Sequence, residues 1–164
     1  MEKIKFAILA TGNIANSMAE AVSRLDMFEC YAAASRSYER AKKFAEKWGF
    51  EKAYGSYEEL VEDSEVELVY VASPHSHHYE HAKLCLEHGK HVLVEKAFTV
   101  NARQARELIQ LSEEKGLLLA EAIWTRYMPS RRMIDDILAC KAIGNVTSLT
   151  ANLGYILAHV DRMQ

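Results

Sequence analysis

The strongest constraint on the fold is an alternation in the first two-thirds of the chain, where short apolar or β-branched runs are followed by longer segments of helical pattern. This alternation is typical of βαβ units, which build a parallel sheet covered by helices. We predict six strands, in chain order at residues 4–9, 30–34, around 53, 68–72, 91–94 and 117–122. The predicted fold class is therefore α/β, a Rossmann-type doubly wound parallel sheet.

The predicted helices carry recognisable start and stop residues. Ser56 and Asn101 are N-cap candidates, because a glutamate or a glutamine follows each of them three positions later. Gly49 and Gly116 stand where a left-handed C-cap belongs. The predicted helices cover approximately residues 13–25, 37–48, 57–63, 77–87 and 101–115.

Composition narrows the class of protein. The chain has 164 residues, which at roughly 150 residues per domain predicts one domain plus a remainder. Apolar residues make up 49% and charged residues 26%, as in a water-soluble globular protein. A net charge of -3 without a basic run gives no reason to expect nucleic acid or an anionic membrane as a partner. Residues 142–160 are uncharged, but they are too polar to predict a membrane span.

The cysteines bear on the compartment. Cys30, Cys85 and Cys140 lie far apart and form no Cys-x-x-Cys pair. The expected compartment is therefore the reducing cytoplasm.

The alternation ends after Trp124. Residues 130–139 predict one more helix, and residues 146–157 predict a long strand with one apolar face. An isolated strand of this kind needs a cover and leaves an unpaired edge, so a homo-oligomer through it is one hypothesis. We predict a dinucleotide-binding domain over residues 1–124 and a separate region over residues 125–164.

The first candidate site is the segment that joins the first strand to the first helix, where the dinucleotide fingerprint G-x-G-x-x-G/A is found. Gly12 stands where a missing side chain lets backbone amides and the helix N-terminus approach a pyrophosphate. Ala10 replaces the first glycine of the fingerprint, which we expect the turn to accept only if φ stays negative there. A strand-to-helix turn with an incidental glycine is the alternative.

The second candidate site follows the second strand. A NAD-specific site commonly places an Asp or Glu there for the ribose hydroxyls, but this chain has Ser35 and Arg36. A guanidinium suits a 2′-phosphate, because it forms paired charge-assisted hydrogen bonds with it. The pair favours NADP as cofactor and leaves NAD open.

Two further groups of residues carry possible chemistry. His77 and His81 lie four apart on a predicted helix, as zinc ligands can, but no cysteine or carboxylate set at ligand spacing joins them, so we expect no metal. Glu95 and Lys96 follow a predicted parallel strand, at the edge where open α/β sheets bind ligands. A lysine there can donate to a substrate oxygen, and a neighbouring glutamate can orient it; a surface ion pair is the alternative.

Five segments recur in order at the ends of successive predicted strands, namely residues 8–15, 34–36, 71–74 with His78, 89–96 and 121–126. Together they resemble the Gfo/Idh/MocA oxidoreductase family, in particular its dihydrodiol-dehydrogenase-like members, over essentially the whole chain. The resemblance implies that an NAD or NADP cofactor contacts the following residues: Thr11, Gly12, Asn13, Ile14, Ser35, Arg36, Ser73, Pro74, His75, His78, Glu95, Lys96, Trp124 and Arg126.

The resemblance also implies a reaction, the transfer of a hydride between nicotinamide C4 and a hydroxyl-bearing carbon of a sugar, polyol or diol. Lys96 and Glu95 would be the catalytic residues, with Lys96 polarising the oxygen, and Ala97 replaces the proline of the family's Glu-Lys-Pro motif. The resemblance further implies that residues 125–164 are the start of the family's C-terminal α+β domain for substrate binding or oligomerisation, here truncated. That domain supplies a further acid/base residue that this chain lacks, so the chain alone is expected to be catalytically incomplete. The alternative is a non-catalytic dinucleotide-binding or regulatory module.

Overall fold

The computed structural model describes residues 2–154, and within this range six strands form one parallel sheet. The strands are β1 Ile4–Leu9, β2 Phe28–Ala34, β3 Lys52–Tyr54, β4 Leu68–Val71, β5 His91–Glu95 and β6 Leu119–Ala122. Each predicted strand of the alternating region is present, with its ends displaced by at most two residues.

The strand order is β3-β2-β1-β4-β5-β6, which confirms the doubly wound Rossmann-type sheet. Leu9 pairs with Ala34 of β2 on one side and with Val71 of β4 on the other. The order of strand addition reverses between β1 and β4, and ligands of such sheets bind in the crevice outside the carboxyl ends at that point. The segments that follow these central strands therefore meet at one edge of the sheet.

Helices lie between the strands, and most begin and end as their capping residues predict. They are α1 Asn13–Val22, α2 Tyr38–Trp48, α3 Tyr57–Glu62, α4 His78–Glu87, α5 Ala102–Lys115 and α6 Pro129–Ala139. The Ser56 hydroxyl accepts a hydrogen bond from the Glu59 amide, and the Asn101 side chain accepts one from the Gln104 amide. Gly49 and Gly116 adopt the left-handed conformation, with φ of 73° and 64°.

Two helix boundaries differ from the prediction. α1 ends at Val22 rather than near residue 25, because the Arg24 and Leu25 amides bond to carbonyls three residues back, those of Ala21 and Val22, instead of four. The predicted start at residue 77 falls inside a short 3-10 turn, His75–His77, which precedes α4. In both places the helical pattern of the sequence continues beyond the residues whose backbone is α-helical.

Apolar side chains fill both faces of the sheet. One cluster joins the sheet to α3, α4 and α5 through residues such as Leu60, Leu86 and Leu108. The other joins it to α1 and α2 through residues such as Ala19 and Phe44. Successive residues of a strand point to opposite faces, so each central strand contributes to both clusters.

A polar cluster around Asp63 links α3 to β2 and β3. One Asp63 carboxylate oxygen accepts hydrogen bonds from Tyr54 Oη at 2.6 Å, Lys52 Nζ at 2.9 Å and Tyr31 Oη at 3.2 Å. Burial by itself raises the pKa of Asp63, but the bonds from Lys52, Tyr54 and the Glu65 amide outweigh it and hold the pKa well below its ordinary value. Asp63 is thus a charged hub that ties three elements together.

The described chain divides into two compact units between Ile123 and Trp124. The second unit contains a 3-10 turn, Trp124–Tyr127, and α6. The helix predicted at residues 130–139 is thereby confirmed. Its predicted strand is not formed at residues 146–154, and residues 155–157 of that prediction lie outside the described residues. A strand exists only when its backbone pairs with a neighbour, and residues 146–154 have no such partner in the part of the chain described.

No helix among the described residues is both long enough and apolar enough to cross a membrane.

Candidate functional site

The predicted phosphate turn begins with an unexpected backbone conformation. Ala10 has a φ of +76°, so the expectation of a negative φ is wrong. Its amide donates a 3.0 Å hydrogen bond to the Ala34 carbonyl, which continues the β1–β2 pairing one residue beyond β1. The turn thus keeps the conformation that glycine would favour even though alanine occupies the position.

Gly12 is the N-cap residue of α1 and leaves the helix N-terminus open. A Cβ added at Gly12 would meet no atom within 4 Å, so nothing in the described fold fills the space beside it. No side chain caps α1, and its first turn contains no acidic residue. The partial positive charge at this end is therefore uncompensated, and Thr11, Gly12, Asn13 and Ile14 fit a bound pyrophosphate.

Asn16 supports this turn, although nothing in the sequence pattern predicts that role. Its side-chain amide donates to the Gly12 carbonyl at 3.0 Å. Its side-chain oxygen accepts from Trp48 Nε1 at 2.9 Å and from Lys47 Nζ at 2.8 Å, both at the end of α2. The turn is thereby tied to a second helix. A lone asparagine inside a helix pattern gave no signal of this role.

Ser35 and Arg36 follow β2 at the same edge. Ser35 is buried, and its amide donates to the Tyr54 carbonyl at the end of β3, while Arg36 is exposed. Burial raises the pKa of the nearby Tyr57 hydroxyl, and the Arg36 cation opposes that rise. Because Arg36 is exposed, its guanidinium is accessible to a phosphate group.

The segment after β4 combines a buried serine with exposed residues. Ser73 is buried, and its hydroxyl lies 2.8 Å from His81 Nδ1, whereas Pro74 and His75 are exposed. Burial lowers the pKa of His81, and the neighbouring His77 lowers it further. The His77 and His81 rings stack with their centroids 5.6 Å apart, so the two side chains lie together as predicted. No group of three metal-ligating side chains occurs among the described residues.

Glu95 and Lys96 point in different directions at the end of β5. Glu95 is buried, and its carboxylate accepts from Tyr70 Oη at 2.5 Å and from the Lys96 amide at 3.1 Å. Lys96 is exposed, and among residues 2–154 its ammonium forms no ion pair with Glu95 or another carboxylate. Glu95 therefore acts on Lys96 through the backbone, and the Lys96 ammonium stays available to a ligand.

His78 is fully buried, so it supports the site from below instead of lining it. Its Nε2 lies 2.8 Å from the Ser73 carbonyl oxygen, and its Nδ1 lies 2.7 Å from the Ala97 carbonyl oxygen. Carbonyl oxygens only accept, so both bonds form together when both ring nitrogens carry a proton. His78 thus joins the segment after β4 to the segment after β5. The peptide bond between Lys96 and Ala97 is cis.

Trp124 and Arg126 lie in the second unit, on the 3-10 turn Trp124–Tyr127, and both are exposed. The other predicted cofactor residues, from Thr11 to Lys96, belong to the first unit. Within that unit they follow β1, β2, β4 and β5 at the carboxyl edge of the sheet, with His78 below. Contact of Trp124 and Arg126 with a cofactor stays a prediction.

Comparisons with known proteins agree with this geometry. Residues 4–123 match the family described as an oxidoreductase family with an NAD-binding Rossmann fold. Mouse trans-1,2-dihydrobenzene-1,2-diol dehydrogenase is 38% identical, over 97% of this chain and 48% of its own length. D-xylose 1-dehydrogenase (NADP(+)) of Hypocrea jecorina is 44% identical, over 92% of this chain and 41% of its own length. The chain thus spans less than half the length of these relatives.

Solved structures show the same likeness. A 3-ketoreductase from Actinomadura kijaniata, in complex with TDP-benzene and NADP, superposes with a TM-score of 0.82 and 34% identity, over 88% of this chain and 46% of that one. An NAD-binding oxidoreductase from Klebsiella pneumoniae gives a TM-score of 0.80 and 31% identity, over 85% and 39% of the two chains. The sheet and helices described above are thus shared with oxidoreductases.

Proposed function

The chain belongs to the Gfo/Idh/MocA oxidoreductase family, as the sequence resemblance indicated, and on this premise we propose that it is the cofactor-binding part of an NAD(P)-dependent dehydrogenase. The reaction we propose is hydride transfer to or from a hydroxyl-bearing carbon of a sugar, polyol or diol. The names of the two relatives, a diol dehydrogenase and a xylose dehydrogenase, support this substrate class.

The observation that carries the proposal is the position of Lys96. Its ammonium is exposed and forms no ion pair with a described residue, and it lies at the carboxyl end of a parallel strand, on the same edge as the open N-terminus of α1. A bound nicotinamide would supply or accept the hydride. Lys96 would donate a hydrogen bond from Nζ to the substrate oxygen and hold or release the proton there, which lowers the energy of the charge that develops on that oxygen.

The cofactor-binding residues divide by the part of the cofactor they would hold. The amides of Gly12, Asn13 and Ile14 would bind the pyrophosphate, and the Arg36 guanidinium with Ser35 would bind the adenosine ribose and its 2′-phosphate. We therefore propose NADP as the preferred cofactor, and the NADP in the names of one relative and one solved structure supports it.

The alternative of a non-catalytic module is not favoured, because the matched relatives are dehydrogenases. The cytoplasm remains our proposed compartment, on the basis of the unpaired cysteines. Self-association through residues 146–157 also stays a proposal, and analytical ultracentrifugation of the chain tests it.

Fluorescence titration with NADPH and NADH tests the proposed function. We expect the chain to bind NADPH, with a Kd at least about tenfold below that for NADH, since hydrogen bonds to a charged group contribute about 1.5–3 kcal/mol. Arg36→Ala should remove this preference, while Arg24→Ala, at an exposed arginine of the first unit, should keep it. Absence of binding to either nucleotide would refute the proposal. The full-length protein to which this chain belongs can then be assayed with NADP+ on D-xylose and on trans-dihydrobenzenediol.

A further inference from the structure

Three side chains from three different elements hold the backbone of residues 96–98, which we call the lysine segment. The Lys96 amide donates to the Glu95 carboxylate at the end of β5 at 3.1 Å. The Ala97 carbonyl lies 2.7 Å from Nδ1 of His78 on α4, and the Phe98 amide donates to the Glu121 carboxylate on β6 at 2.9 Å. The backbone that carries Lys96 is therefore fixed at three successive residues, although the Lys96 side chain is exposed.

Tyr70 fixes the first of these contacts. It is fully buried on β4, where it pairs with Leu93 of β5, so its hydroxyl reaches the Glu95 side chain two residues further along that strand. The Tyr70 hydroxyl donates to one oxygen of the Glu95 carboxylate at 2.5 Å, which leaves the other oxygen for the Lys96 amide. Rotation of Glu95 away from this position would break a charge-assisted hydrogen bond in a buried place, which is costly.

The pKa of Tyr70 agrees with this role as a donor. Burial raises the pKa of the Tyr70 hydroxyl well above its ordinary value, and the hydrogen bond to the Glu95 carboxylate raises it further. The Tyr70 hydroxyl therefore stays protonated and donates a hydrogen bond to Glu95 throughout the working pH range.

Glu121 fixes the third contact from the other face of the sheet. It pairs in register with Val94, which belongs to the apolar cluster beneath α4 and α5, whereas Tyr70 belongs to the cluster beneath α1 and α2. Phe98 packs against the same cluster as Val94, so its ring and its amide are held together. Movement of the lysine segment toward either face would break a contact on the opposite face.

We infer that Tyr70 and Glu121 are positioning residues for Lys96, which fix from opposite faces of the sheet the backbone from which its ammonium reaches the reacting oxygen. The inference rests on the proposed function, which assigns that oxygen to Lys96. Neither residue touches the substrate in this scheme. Their contribution is preorganisation, because a misplacement of a catalytic group by about 1 Å can lower a rate by about 100-fold.

Amide hydrogen exchange by NMR on the ligand-free chain tests the inference without any cofactor. The variants are Tyr70→Phe, which removes only the hydroxyl, and Glu121→Leu, which removes the acceptor of the Phe98 amide. Glu121→Gln keeps an acceptor and serves as the conservative rescue. Tyr31→Phe is the matched control, because Tyr31 is also a buried strand tyrosine whose hydroxyl donates to a carboxylate, that of Asp63.

We expect exchange at the Lys96 amide to become about tenfold faster in Tyr70→Phe, and exchange at the Phe98 amide to do the same in Glu121→Leu, since a hydrogen bond of about 1.4 kcal/mol corresponds to a factor of ten. Tyr31→Phe and Glu121→Gln should leave both amides unchanged. The same substitution is then made in the full-length protein and assayed with whichever of the two test substrates it converts. Tyr70→Phe should lower kcat about tenfold, while KM and the NADPH Kd stay within about twofold of the wild-type values.

Two results would overturn the inference: exchange at Lys96 in Tyr70→Phe equal to that in Tyr31→Phe, or a kcat unchanged in Tyr70→Phe. If the wild-type chain binds neither nucleotide, only the proposed function is refuted. The exchange experiment still decides whether Tyr70 and Glu121 hold the lysine segment.

Discussion

The Ala10 amide donates a hydrogen bond to the Ala34 carbonyl while Ala10 itself holds a φ of +76°. The bond extends the pairing with β2 by one residue, and the positive φ then turns the chain out of the strand direction toward α1. A left-handed conformation costs an L-residue about 1–2 kcal/mol that glycine does not lose.

Ala10→Gly is therefore expected to raise the free energy of unfolding of the first unit by about 1 kcal/mol. Urea unfolding followed by circular dichroism measures the change, as a shift of the midpoint at constant slope. The matched control is Ala105→Gly, inside α5, which should lower the free energy of unfolding by about 1 kcal/mol. Equal destabilisation by the two substitutions would contradict the reported φ of Ala10.

Gly12→Val should separate cofactor binding from folding. A Cβ at Gly12 meets nothing within 4 Å, and the backbone there has a φ of -77°. The free energy of unfolding of the variant should therefore lie within about 1 kcal/mol of the wild-type value. The valine side chain would occupy the space through which a pyrophosphate approaches the amides of α1, so the NADPH Kd should rise at least about tenfold. Tight NADPH binding by this variant would show that the pyrophosphate lies elsewhere.

Lys96→Met should remove turnover and leave cofactor binding largely intact. Methionine keeps the length of the side chain but cannot donate a proton, and loss of an acid/base group lowers a rate by about 100-fold or more. We expect kcat of the complete polypeptide to fall by that factor while the NADPH Kd changes less than about threefold. Lys42→Met, at an exposed position of α2, is the control and should leave both values unchanged. A Lys96→Met protein with wild-type kcat would remove Lys96 from the mechanism.

Asp63 should give the fold a measurable pH dependence. Its pKa is lowered in the folded state, so its stabilising contribution is fully present above its unfolded pKa of about 3.8 and is lost as the pH falls through the lower folded value. At neutral pH, Asp63→Asn should lower the free energy of unfolding by about 2 kcal/mol, because charged hydrogen bonds contribute about 1.5–3 kcal/mol. Urea unfolding between pH 7 and pH 2 should show the two proteins converge in acid. Parallel curves would mean that Asp63 does not supply this dependence.

Much of the fold follows from local pattern. Apolar runs such as residues 6–9 of β1 mark buried parallel strands, and the helix starts at Ser56 and Asn101 follow from side chains that bond amides three residues away. Once the strands are parallel, residues that follow them, such as Arg36 and Lys96, must gather at one edge. For these features the necessary physics acts within a few residues or within one sheet, so the sequence is enough to predict them.

The features that the sequence did not predict depend on contacts distant in the chain. Ala10 takes a positive φ where it bonds to Ala34 of the neighbouring strand, and the role of Tyr70 is set by a glutamate 25 residues away. Tyr70 fits an apolar strand pattern, so it gave no signal, whereas Glu121 is a charged residue inside a predicted buried strand and was the one available clue. The strand expected at residues 146–157 shows the converse, because an alternating pattern is compatible with a strand but does not provide the neighbour that a strand needs.

The strand order also has a consequence for synthesis on the ribosome. β1 is made before the other five strands of the sheet but lies between β2 and β4, and the pairing partner on its second side, Leu68–Val71, is translated about 60 residues later. Until β4 is translated, a nascent chain that has paired β1 with β2, and β2 with β3, exposes the unpaired backbone edge of β1. β1 is thus the strand of this sheet that a cotranslational chaperone would have most reason to cover.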